Sequence, residues 1–180
     1  MNAEPTKSPG HEPSETHQYA TFTVARHLLG LNVLEVQEVL RGQSMTRVPL
    51  APPVVEGLIN LRGQIVPALD MRRVLGLPSE PKQARVISGV SNEMKEADNL
   101  DPEPGAVSVV VRSPQGAISL QVDEIEDVID LNSDSFEPPP PNIDAAMRPL
   151  FKGVHKLDGR LLLVLDTEQT LQAGIPTERN

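Results

Sequence analysis

Two stretches of this chain repeat one another. Gly57-Leu-Ile-Asn-Leu-Arg-Gly63-Gln-Ile-Val-Pro-Ala-Leu-Asp70-Met-Arg-Arg-Val-Leu75 runs without a gap against Gly153-Val-His-Lys-Leu-Asp-Gly159-Arg-Leu-Leu-Leu-Val-Leu-Asp166-Thr-Glu-Gln-Thr-Leu171. Both glycines, Leu61 with Leu157, Leu69 with Leu165, the aspartate and the closing leucine recur. Each copy is preceded by a second repeated block. Leu31-Asn-Val33-Leu-Glu35-Val36-Gln-Glu38-Val39-Leu40 matches Leu120-Gln-Val122-Asp-Glu124-Ile125-Glu-Asp127-Val128-Ile129, apolar against apolar except at Leu34 and Asp123. Two blocks repeated in the same order argue for two similar subdomains.

A chain of 180 residues can bury a core as one ordinary domain or as two small halves sharing an interface. The aromatics are only Tyr19, Phe22, Phe136 and Phe151, too few to stack bases or sugars. A net charge of −9 opposes phosphate neutralisation, so nucleic acid is not an expected partner. Without cysteine there is no disulfide framework and no thiolate metal site. The polar N-terminal stretch lacks the apolar region of a secretory signal, and no run approaches the ~20 apolar residues that span a bilayer. These features predict a cytoplasmic protein without direct membrane insertion.

Residues 1–17 read as a disordered tail, with order beginning near Tyr19. Tyr19 to Val24 alternates as a half-buried strand does, with Leu28 to Val33 as its partner. The repeated block reads as a β-hairpin in both copies. Asp158-Gly159 favours a tight turn with positive φ, and Arg62-Gly63 occupies the same place in the first copy. Each hairpin ends on an aspartate followed by a short helical segment. Val90 to Gly105, charged and containing Pro102 and Pro104, reads as a loop, and Pro138 to Pro141 as a stiff extended segment outside any central strand. Short strands separated by Gly and Pro turns predict an all-β protein of small barrels or a sandwich.

Asn60-Leu-Arg-Gly63 followed by Ile65-Val-Pro67 and Leu69-Asp70, the preceding Val36-Gln37-Glu38, the later Val122-Asp123 and the closing Gly159-Arg160-Leu with Leu165-Asp166 together resemble the CheW family of chemotaxis coupling proteins, over about Tyr19 to Leu171. The resemblance implies two SH3-like five-stranded β-barrels. On this reading residues 18–172 form the CheW-like domain, with a first barrel near 18–85, an acidic loop near 89–105, a second barrel near 106–165 and a C-terminal segment 166–172. A tail follows at 173–180. It further implies a non-enzymatic adaptor, without cofactor, that couples the cytoplasmic tip of a methyl-accepting chemoreceptor to the regulatory domain of a CheA-type histidine kinase in a membrane-associated array.

Carried over residue by residue, the resemblance places Val33, Val36 and Glu38 beside a receptor groove, with Val122, Ile125 and Val128 as their counterparts. It places Asn60, Arg62 and Gly63 at a hairpin tip implicated in receptor coupling. The kinase surface falls at Thr46, Arg47, Gly57 and Leu58. The family's glycine and aromatic before the second strand are replaced here by Ala25 and Leu29.

Read from the residues alone, each of these has a structural role. The valines and Ile125 suit a core, Arg62 a solvated turn, the glycines positive φ, and Asp70 and Asp166 strand-end caps. The four histidines, His11, His17, His27 and His155, have no metal-ligand spacing. A rival of another class is a small ligand-binding or enzymatic β-barrel module, using the groove between the halves with Asp70, Arg62 and Glu38 as its polar groups.

Overall fold

The computed structural model describes residues 15–78, 99–100, 107–114 and 116–174. The first repeat contributes β1 (Thr16–Val24), β2 (His27–Asn32), β3 (Val36–Arg41), β4 (Met45–Thr46), β5 (Val55–Leu61), β6 (Gln64–Asp70) and helix α1 (Met71–Val74). After β7 (Asn99–Leu100) the second contributes β8 (Val107–Ser113), β9 (Gly116–Val122), β10 (Glu124–Asn132), β11 (Phe136–Glu137), β12 (Phe151–Leu157), β13 (Arg160–Leu165) and helix α2 (Thr167–Gly174). Strand β1 starts at Thr16, inside the segment expected to be tail, because Thr16 to Tyr19 pair with Asn132 to Ile129. Most of the acidic loop lies outside the described residues. Within it Asn99–Leu100 is not loop but an edge strand on β4.

The strands form two sheets, ordered β10-β1-β2-β13-β12-β11 and β3-β8-β9-β6-β5-β4-β7. Each has five strands of six to nine residues, the expected SH3-like pair, and adds one or two strands of two residues. Replacing every strand of the first sheet by its repeat-mate reproduces the order β3-β8-β9-β6-β5-β4 in the second. The barrels do not, however, divide the chain as 18–85 and 106–165. One, here the β1 barrel, takes residues 16–32 and 124–165; the other, the β3 barrel, takes 36–70 and 99–122. Each repeat therefore donates its leading hairpin to the sheet built by the other. The parallel pairs that seal the exchange, β2 with β13 and β6 with β9, have equivalent registers, Gly30 opposite Val164 and Ser119 opposite Ala68.

Irregularities repeat as well. A register shift between Val55 and Gly57 recurs between Phe151 and Gly153. At that shift the short strands β4 and β11 cross so closely that a Cβ on Gly57 would lie 2.6 Å from the Thr46 carbonyl oxygen, and one on Gly153 2.6 Å from that of Glu137. The first glycine of the repeat thus serves a backbone crossing. The second, Gly63 or Gly159, lies in open space at φ +88° or +71° and serves the turn.

Packing follows the same plan. A central cluster joins both sheets, combining Phe22, Leu29 and Leu31 of the β1 barrel with Leu69, Val109 and Leu120 of the β3 barrel. Each barrel also has its own interior, in which Leu61, Val66, Ala68 and Leu40 occupy the places of Leu157, Leu162, Val164 and Ile129. One difference between the interiors is that Ile59 is replaced by His155, which is 1% exposed. The His155 ring lies between Tyr19 and Phe136, with centroids 5.3 and 5.2 Å away. Ser135 Oγ donates to the Asn132 carbonyl, so the His155 Nδ1–H is left to donate to Ser135 at 2.9 Å. Nε2 then carries a bare lone pair with no partner. Protonating it would bury a charge without an acceptor. Burial accordingly holds His155 below the usual histidine value of 6.5, opposed by the Ser135 bond and reinforced by His17. No described helix is long and apolar enough to cross a membrane.

Two outcomes follow from this packing. Gly57→Ala forces backbone apart at the crossing and lowers the urea unfolding free energy by about 1–3 kcal/mol, whereas Gly159→Ala costs only the turn strain, about 1 kcal/mol. His155 and His27, both depressed mainly by burial, bind fewer protons folded than unfolded. Their stabilisation is complete above the unfolded value of 6.5 and is lost as pH falls through and below it. Thermal melts at pH 7 and pH 5 show the loss, and His155→Ile makes it shallower.

Candidate functional site

The hairpin of β5 and β6 ends in Arg62-Gly63, with φ of +51° and +88°. Both turn residues are left-handed, the geometry whose twist matches that of the flanking strands. Asn60 secures it, its Oδ1 accepting from the Gly63 N–H at 2.8 Å. The second hairpin turns differently, since Gly159 has positive φ and Asp158 does not. The Arg62 side chain is 80% exposed and its Nη2 donates to Glu38 Oε2 at 2.9 Å. Four of the residues assigned to the receptor, Glu38, Asn60, Arg62 and Gly63, are therefore brought together at one end of the β3 barrel.

The remaining five are not a single exposed surface. Val122 is buried in the central cluster, and Val36 and Ile125 pack against it. Val33 is half-buried in the 3₁₀ turn between β2 and β3. Val128 is 59% exposed, on β10 of the other barrel. The residues assigned to the kinase do adjoin one another. Thr46 pairs with Leu58 across β4 and β5, Gly57 lies beneath the Thr46 carbonyl, and exposed Arg47 follows.

Several contributors escaped the sequence reading. After Arg47, Val48 and Leu50 expose apolar side chains, Leu50 completely and at φ +63°. Its strained conformation sits at the third residue of a turn closed by the Ala51 N–H on the Val48 carbonyl. At the two crossovers between sheets, single carboxylates pin the halves together. Glu35 accepts from Lys152 at 2.8 Å and from the Thr167 hydroxyl. Asp123 takes Arg72 in a two-pronged bridge of 3.0 and 2.7 Å and accepts from the Ala25 N–H at 2.6 Å. That last bond holds Ala25 at φ +53°, where the resemblance placed a glycine. The mismatch of Asp123 with Leu34 in an otherwise apolar alignment was the available signal.

Beside the Glu35 crossover lies a cleft of about 530 Å³ bounded by Arg112, Ile118, Lys152, Asp166 and Leu171. Two of the three carboxylates that line it have structural partners: Glu35 as above, and Asp166 capping α2 by accepting from the Gln169 N–H at 3.0 Å. Asp70 caps α1 in the same way, accepting from Arg72 and Arg73 N–H groups at 2.9 and 3.3 Å. Both aspartates have the capping role read from the repeat. Among the described residues no group of three or more His, Asp or Glu could hold a metal ion.

Two SH3-like barrels locked through a common core, carrying separate exposed patches, define a scaffold whose surfaces face outward. The CheW-like domain profile matches residues 18–174, and the chain belongs to that family. It is 27% identical over 156 residues to the chemotaxis protein CheW of Klebsiella aerogenes, covering 87% of this chain and 82% of that protein. CheW of Treponema pallidum is 26% identical, over 84% of this chain and 80% of its own. Among solved structures, the scaffolding protein TtCheW from Thermoanaerobacter tengcongensis superposes with a TM-score of 0.66 at 27% identity, over 84% of this chain and 90% of that one.

The two ion pairs separate stability from surface chemistry. Asp123→Ala removes the two-pronged bridge to Arg72 and the acceptor of the Ala25 N–H and costs about 1–3 kcal/mol in chemical denaturation, while Arg62→Ala, at an exposed pair, stays within about 1 kcal/mol of wild type.

Proposed function

We propose that this chain is a non-catalytic adaptor that holds a chemoreceptor tip and the regulatory domain of a CheA-type kinase in fixed relative geometry, in the cytoplasm beneath a receptor array. The observation that carries the reading is the placement of two exposed patches on one rigid β3 barrel. The hairpin tip of Glu38, Asn60 and Arg62 is one, and the β4–β5 pairing of Thr46 and Leu58 with the following Arg47 is the other. A body that orders two partners this way raises the effective concentration of each at the other without any chemistry of its own.

The receptor surface is Arg62 with Glu38 at the tip, extended across the barrel boundary to Val128. Val36, Val122 and Ile125 support it from within, because their side chains pack on the central cluster. An arginine fixed at one end by a carboxylate keeps donors free for a partner's carboxylate, and arginine is enriched among residues that carry binding energy. On the kinase side, Leu50 is the anchor. A fully exposed leucine held at positive φ costs about 1 kcal/mol relative to glycine, and a partner's apolar pocket offsets that cost.

Purified receptor-tip and kinase regulatory-domain fragments, captured separately on the immobilised full chain, test the assignment. Arg62→Ala with Val128→Asp weakens receptor capture about tenfold or more, equivalent to ~1.4 kcal/mol, and leaves kinase capture intact. Leu50→Gly does the reverse while raising the melting temperature slightly. Failure of the folded wild-type chain to capture either fragment would overturn the reading, as would variants that weaken both captures together.

A further inference from the structure

The exchanged hairpins have a consequence for what each half of the chain can bind. Residues 15–78 build four strands of the β3 barrel but send β1 and β2 away; residues 107–174 build four strands of the β1 barrel but send β8 and β9 away. Neither half closes a barrel by itself. Each leaves the edge of β6 or β13 open for a parallel partner, and the central cluster is shared between them.

Because the repeats are similar, a half could in principle complete itself with another copy of the same half. The bridging charges discriminate against this. The native contacts join Glu35 to Lys152 and Asp123 to Arg72, always one residue from each half. In a pair of first halves, Glu35 would meet Glu56, which holds the place of Lys152, and Arg72 would meet Leu34, which holds the place of Asp123. In a pair of second halves Lys152 would keep an acidic partner in Glu124, which holds the place of Glu35, but Asp123 would meet Glu168, which holds the place of Arg72. Like charges set against the wrong partner are a device for specificity.

We propose that the chain is a tethered heterodimer, in which residues 107–174 are a specific binding partner for residues 15–78 and the ion pairs at Glu35 and Asp123 select the mixed pair over either matched pair. The partner of each half is the complementary half, supplied in nature by the same chain.

The test starts from the folded full chain carrying one engineered protease site between residues 88 and 96. After cleavage, the two pieces co-elute in gel filtration and keep the far-ultraviolet circular dichroism of the intact protein. Separated in urea and returned to buffer, neither piece regains that spectrum alone, and an equimolar mixture does. Lys152→Glu in the second piece weakens reassociation about tenfold or more, and Glu35→Lys in the first restores it. Dissociation of the native pieces on cleavage would overturn the proposal, as would native-like folding of either piece alone, matched dimers as tight as the mixed one, or no rescue by the double charge reversal.

Discussion

The parallel contacts between β2 and β13 and between β6 and β9 are the constraint on which the rest of the structure depends. Each joins strands more than fifty residues apart in the chain, and each seals a hairpin from one repeat into the sheet of the other. Without them neither face of β2, Leu28 toward its own barrel's interior and Leu29 and Leu31 toward the central cluster, has anything to cover it, and the same holds for Ile118 and Leu120 on β9. Such non-local pairing bears a loop-closure cost before any packing offsets it, so both exchanges and the core between them form together. The glycines at 57 and 153 serve the same economy of space, letting a two-residue strand cross the bent hairpin at backbone contact distance.

This construction separates positions the fold requires from positions free to differ. Positions that agree between the repeats are absorbed by the fold: turn glycines, capping aspartates, core leucines. Positions that disagree hold the halves in register, face solvent or change the lining of one barrel. Asp123 against Leu34 fixes a crossover, and His155 against Ile59 puts a depressed histidine inside one barrel only. Arg62 against Asp158 places a guanidinium within the turn of one hairpin, whereas the other carries Arg160 just past its turn, held by Glu126, with different backbone geometry beneath it. Two barrels of one plan thereby present unlike surfaces.

Much of this was legible beforehand. Internal repetition carried the two-barrel plan, alternation carried the hairpins, and the repeated aspartates read as caps. Which sheet a hairpin joins was not legible, because a period of two specifies the buried face of a strand and says nothing of its neighbour. The division at residue 85 failed for that reason, and the start of β1 was misjudged because the polar Thr16 and His17 pair on an edge that sequence periodicity does not reveal. Among the site residues, Val36, Val122 and Ile125 carry core-like alternation and are indeed packed inward, whereas Val128 shares that pattern and is exposed. Leu50 had no signal at all, since a leucine at positive φ contradicts the residue preference used to find turns.

Native-state hydrogen exchange examines the interlocked construction most directly. If the halves complete each other, the slowest amides of β1 and β2 and those of β5 and β6 open with one common free energy, equal to that of global unfolding. Two separate plateaus, with the strands of one barrel exchanging while the other remains protected, would contradict it.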